Sequence, residues 1–231
     1  MGVGREIAQE VSPAFSRGAD CLEGGEYRKA IKLFEEAIDS DPYHVNAYIL
    51  CGQAHFYLSD DDRAISLFNS ALSFNRNDEA TLAWRGLAYI NKKQFGKAIG
   101  DFSEAIIINP ALDYFYQRGS SYLNLDDYGK ALADFLQVLT QDPERKDVYV
   151  MLESCLLEII KIGLLNEINQ GHINSAIKFL PKNKQIMINN SINKTFIHSG
   201  FSLWGSGALS AATINDDIGS PKIGITISFS K

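Results

Sequence analysis

Along the first two thirds of the chain, apolar residues recur every three to four positions, the spacing of one face of a helix. Small or polar clusters interrupt them about every 15 residues. Some interruptions are tight: Gly24-Gly25, Ser59-Asp60, Lys92-Lys93 and Asp126-Asp127. Others carry a proline, at Asp41-Pro42, Asn109-Pro110 and Asp142-Pro143, where the missing amide and the restricted preceding residue end a helix. The pattern predicts helices over 12–24, 27–40, 45–58, 61–74, 79–92, 95–108, 112–125 and 128–141. Each is near the ~12–15 residues at which an isolated helix is marginal in water, so stability has to come from stacking.

The stretch Glu79 to Pro110 is the best-formed pair, and it recurs. Gly18, Gly52, Gly86 and Gly119 step by 34, 34 and 33 residues; Ala30, Ala64, Ala98 and Ala131 keep that step, as do Phe34, Phe68, Phe102 and Phe135. The third unit supplies Leu82, Gly86, Tyr89, Ala98, Phe102, Ala105 and Pro110 at fixed offsets. This pattern resembles the tetratricopeptide repeat. Four units match it, 11–44, 45–78, 79–111 and 112–145, after an N-terminal extension of residues 1–10. The second unit departs most, with His55 where tyrosine is usual, Asp61 for an aromatic and Arg76 for the proline. The resemblance implies an all-α fold, a right-handed α-solenoid of helix pairs. The glycine and alanine let paired helices approach, and tyrosine and phenylalanine fill the space beside them.

Units three and four carry Arg85 and Arg118 just before the glycine, and Asp101 and Asp134 just before the phenylalanine. Units one and two have Leu33 and Leu67 in the aspartate position. Antiparallel packing predicts an ion pair within each of the later units.

Residues 146–181 continue less regularly, through YVMLESCLLEIIKIGLL and HINSAIKFLP, with Ala176 at the small-residue position. They are expected to form a divergent fifth repeat or capping helices, because the last helix of an array otherwise exposes an apolar face. Residues 182–231 change to Asn, Ser, Gly and Ile, and helical periodicity fades. The alternation of Ile223, Ile225, Ile227 and Phe229 with small residues predicts a strand, with weaker candidates at 194–204 and 208–214. The segment reads as a small β appendage or a disordered tail.

Charge is uneven: residues 1–145 hold 14 Lys and Arg against 22 Asp and Glu, while the whole chain carries −6. An acidic array argues against nucleic acid, which requires a basic face. Cys21, Cys51 and Cys155 form no Cys-x-x-Cys pair and fall on helix faces, as small buried hydrophobes do. The four histidines are scattered and no phosphate-binding loop is present, so no enzyme activity, metal or cofactor is expected. Without a leader-like apolar run near the start or a membrane-length span, the chain is expected to be cytoplasmic.

The resemblance places function on the concave face lined by first helices. Its inward positions map onto Phe15, Ala19 and Leu22; Asn46, Ile49, Gln53 and Tyr57; Ala83, Leu87, Ile90 and Asn91; Tyr116, Ser120 and Asn124. Leu22, Ala83 and Leu87 are expected to pack internally. The rest, from Phe15 to Asn124, mix amides and hydroxyls with apolar groups, which suits a peptide segment of a protein partner. Chaperone-binding members of the family hold a C-terminal carboxylate with Lys, Asn and Arg; the matching positions here are Phe15, Ala19, Leu50, Ala80 and Trp84, or one unit later Ile49, Gln53, Trp84, Asp113 and Gln117. Neither frame supplies a cation, so no carboxylate clamp is expected. The implied function is an interaction scaffold. Alternatives are a secretion or assembly chaperone, or an envelope-associated protein using Ile223 to Phe229 as a barrel strand.

Overall fold

Eleven α-helices in chain order make up nearly all of the described structure. It is a computed structural model that describes residues 12–163, 169–198, 210–214 and 222–226. The chain divides into two units, Met1–Ser191 and Ile192–Lys231.

The first eight helices are α1 Pro13–Glu23, α2 Tyr27–Ser40, α3 Val45–Tyr57, α4 Asp61–Phe74, α5 Glu79–Asn91, α6 Phe95–Ile108, α7 Leu112–Asn124 and α8 Tyr128–Gln141. They follow the expected periodicity to within a residue or two at each end. Every helix packs on the next, giving four antiparallel pairs. First helices also touch their successors, α1 to α3, α3 to α5 and α5 to α7. No comparable contact joins α2 to α4, α4 to α6 or α6 to α8 among the described residues. The first helices therefore lie on the inner, tighter side of the array.

Each pair is locked by the repeated glycine and phenylalanine. Phe34, Phe68, Phe102 and Phe135 are fully buried. A Cβ added at Gly52 would lie 2.6 Å from the Phe68 ring, and one at Gly86 3.0 Å from Phe102. Only a glycine lets the first helix rest on that ring. Ala30, Ala64, Ala98 and Ala131, all at 0% exposure, bring the second helix equally close.

The turn inside each pair is the same four times. The amides of Gly25, Ser59, Lys93 and Asp126 donate to carbonyls three residues back, and the next residue's amide donates five residues back, all at 2.8–3.2 Å. This is the Schellman helix end, which needs a left-handed residue. Gly25 supplies it at φ 73°, but Ser59, Lys93 and Asp126 take it at φ 60°, 56° and 59° despite their side chains.

Both predicted ion pairs are present. Arg85 Nε and Nη2 donate to Asp101 at 2.9 and 2.7 Å; Arg118 repeats the arrangement on Asp134 at 2.8 and 2.7 Å. The third donor reaches back one unit, Arg85 Nη1 to Asn69 at 2.7 Å and Arg118 Nη1 to Ser103 at 3.2 Å. The pairs thus tie helices within a unit and units to each other.

Beyond the fourth unit come α9 Lys146–Lys161 and α10 Gln170–Phe179. Helix α9 covers α8 as a first helix would, but α10 leans on α8 more than on α9. Helix α9 ends within the apolar run 149–165: it stops at Lys161, Gly163 turns at φ 73°, and 164–168 lie outside the described residues.

The expectation that helix is lost after Pro181 is corrected. Helix α11 spans Lys182–His198 and takes in the first part of the strand candidate 194–204. The Gln185 amide donates to the Pro181 carbonyl at 2.9 Å, and its side chain to the Leu180 carbonyl at 2.6 Å, while Ile188 is fully buried. These contacts hold a helix that its Asn-rich sequence does not announce.

In the second unit, β1 Ser210–Ile214 pairs antiparallel with β2 Lys222–Thr226, with Ala212 opposite Gly224. The N-terminal extension 1–10, residues 199–204 of the strand candidate, and Ile227 to Phe229 lie outside the described residues.

Candidate functional site

The inner face is built from α1, α3, α5 and α7, and it separates the expected lining residues into three groups. Those turned to the interior include Phe15, whose ring lies 5.8 Å from Phe34 and 4.4 Å from His44. Phe15 is thus engaged in packing. Leu22 and Leu87 likewise pack on the core, and Ala83 is buried.

A second group is tied to neighbouring groups. Asn91 Nδ2 donates to Asp61 at 2.9 Å, joining α5 to the start of α4. Asn124 donates to the Ser120 carbonyl at 2.8 Å. The Tyr116 ring is covered by the Arg145 guanidinium at 4.9 Å, which Asp113 holds at 2.7 Å and Asp147 at 3.5 Å. That cation is neutralised where it stands.

The third group is open except for Ser120. Asn46 and Tyr57 are exposed, and Ile49, Gln53 and Ile90 half-buried. The Ser120 hydroxyl is buried without a hydrogen-bond partner among the described residues. Such a group carries a desolvation cost until something satisfies it.

Tyr57 belongs to an aromatic cluster that the sequence did not single out. It stacks on Tyr27 at 5.0 Å, and Trp84 meets it edge-on at 5.9 Å and Phe56 at 5.4 Å. Tyr27 opens α2 and Tyr57 ends α3, thirty residues on; Asp61 and Asn91 hold the same relation one unit later. That shared offset is the signal that could have found the cluster. One geometric junction carries ring stacking in one unit and a hydrogen bond in the next.

Of the positions matching a carboxylate clamp, Trp84 is committed to this cluster and Leu50 to the core. His55, buried where tyrosine is usual, faces Asp60 at 3.1 Å and fixes the turn between α3 and α4. Burial pushes the thiols of Cys51 and Cys155 up to about 12, so neither is a nucleophile near neutrality. Among the described residues no cluster of His, Cys, Asp and Glu could hold a metal ion, and no helix is long and apolar enough to cross a membrane.

Comparison with known proteins agrees with this architecture. Tetratricopeptide repeat family models match residues 22–88 and 112–145. Human tetratricopeptide repeat protein 16 is 26% identical over 195 residues, covering 79% of this chain and 21% of its own length. The Macaca fascicularis protein of the same name is 26% identical over 156 residues, covering 64% and 18%. The chain thus spans about a fifth of these relatives. Among solved structures, MamA superposes with a TM-score of 0.62 at 18% identity, covering 83% of this chain and 96% of that one. The thermophilic TPR protein TTC0263 of Thermus thermophilus does so at 0.53 and 20% identity, covering 66% and 84%. With a four-fold Gly–Phe lock, a repeated Schellman turn and an inner face of first helices, residues 22–88 and 112–145 are tetratricopeptide repeats.

Proposed function

We propose that this protein is a non-enzymatic, cytoplasmic interaction scaffold whose inner face binds a peptide segment of a partner protein, without a carboxylate clamp. The observation that carries this is the open part of that face: exposed Tyr57 beside Trp84, with Ile49, Gln53 and Asn46, and no unpaired cation among them. Rings and aliphatic groups supply pockets, and amides meet a peptide backbone. A chain-terminal carboxylate would be desolvated there without a counter-charge.

Partner proteins captured on the wild-type chain are expected to be lost on an Ile49→Glu/Trp84→Ala variant that melts normally. Equal recovery would place binding elsewhere. Acidic C-terminal peptides of the Hsp70 and Hsp90 type are expected to give no heat in a calorimeter at tens of micromolar; saturable binding would refute the missing clamp.

A further inference from the structure

The fifth helix pair breaks the lock that defines the other four. Counting on from Gly119 by the same step, the glycine position is Glu153. The second-helix sequence Ala30-Ile31-Lys32-Leu33-Phe34 returns as Ala176-Ile177-Lys178-Phe179-Leu180, with the last two residues exchanged. Leucine therefore stands in the phenylalanine position. At Gly119 even a bare Cβ would come within 2.9 Å of the Phe135 ring, so a glutamate there cannot accept a ring in the usual way.

The consequence is an open cleft of about 360 Å³ between α9 and the junction of α10 with α11. Tyr149, Val150, Phe179 and Leu180 form its apolar walls. Lys184 and Glu153, paired at 2.6 Å, form its polar edge. Val150 is 64% exposed and stands in the register of Ile49 and Tyr116, so the cleft opens where the row of inner-face positions ends.

We propose that this cleft receives an aromatic side chain of a peptide partner. Four units fill the corresponding space with their own ring, and the fifth leaves it lined but empty of one. The walls present the rings of Tyr149 and Phe179, against which an aromatic ring packs better than an aliphatic group of equal area. The site is separate from the Tyr57–Trp84 cluster and does not depend on it.

The test uses the full chain with ¹³C-labelled methyl groups and N-acetyl-phenylalaninamide as the probe. Saturable shifts are expected at the Val150 and Leu180 methyls, and N-acetyl-leucinamide, which lacks the ring that packs on Tyr149 and Phe179, should bind about 2- to 5-fold more weakly. Val150→Trp, a change at an exposed position, should leave the melting curve unchanged and abolish the Leu180 response. Ile49→Glu/Trp84→Ala should leave that response intact, which separates failure here from failure of the inner-face reading. No shift up to the probe's solubility, an equal response to the leucine analogue, or an undiminished response in Val150→Trp would overturn the proposal. So would concentration-dependent shifts at these methyls without probe, which would assign the cleft to a second copy of the chain.

Discussion

At the scale of single residues, the arginine ladder shows how a buried charge is tolerated. Asp134 is 7% and Arg118 20% exposed at the side chain, and all three guanidinium nitrogens that point inward are used. The attraction lifts the Arg118 guanidinium further above its ordinary value, yet burial holds the Asp134 carboxyl above the usual carboxylate range against Arg118's pull. Arg118→Met removes the pull and leaves the burial, at a cost of roughly 3 kcal/mol near neutral pH. The sign with pH follows. A carboxyl whose folded value is raised penalises the fold above that value and is relieved as pH falls through it. The deficit of Arg118→Met in urea unfolding should therefore shrink between neutral and acid pH. Replacing both partners, Arg118→Met/Asp134→Leu, should return stability to within about 1 kcal/mol of wild type. The second and fifth units already do this, with Cys51 and Leu67 in the two positions before the ladder and Leu152 and Phe179 after it. A deficit flat in pH, or a double variant no better than the single one, would show that charge pairing is not what this site depends on.

At the scale of helices, glycines at different positions should answer the same substitution with opposite sign. Alanine is favoured over glycine inside a helix by about 1 kcal/mol. At Gly100, midway along α6 with nothing within 4 Å of an added Cβ, Gly100→Ala should raise stability by up to that amount. At Gly52 the same methyl would sit 2.6 Å from a fully buried ring, so Gly52→Ala should lose about 1–3 kcal/mol despite the propensity gain. Melting curves of the two variants decide it, and a stabilised Gly52→Ala would mean the lock is slack. This lock was legible in the sequence because both partners repeat. The places of the turns were legible too, but not their left-handed residue, which only Gly25 advertises and which Ser59, Lys93 and Asp126 also occupy. Helix α11 was hidden for another reason: Lys184 and Gln185 tether it to α9 and to the end of α10, contacts no local periodicity encodes. Of the inner face, apolar register was readable, but the diversion of Asn91, Asn124 and Tyr116 to Asp61, the Ser120 carbonyl and Arg145 depends on neighbours thirty residues away or on the helix's own carbonyls.

At the scale of the array, its two ends differ in what covers them. Helix α2 buries Ala30, Phe34 and Ala37, enough to close one pair. Helix α8 buries seven residues, among them Leu132, Leu136, Val138 and Leu139, because both α9 and α10 lie on it. An array continuing by simple repetition would cover α8 with one first helix; here α10 also turns back on it, and the series of equal pairs stops. Ending the chain after Arg145 would bare those four side chains, each worth about 1.5–3 kcal/mol of burial. The shortened chain should melt lower, bind a dye specific for exposed apolar surface, and self-associate in sedimentation, since an uncapped solenoid end is a ready interface for another copy. Leu136→Lys with Leu139→Gln in the shortened chain should restore a monomer without restoring the lost stability, separating the solubilising role of α9 and α10 from their energetic one. A shortened chain that stays monomeric and melts as the full chain does would show that α9 and α10 are an appendage, and that α8 closes the array by itself.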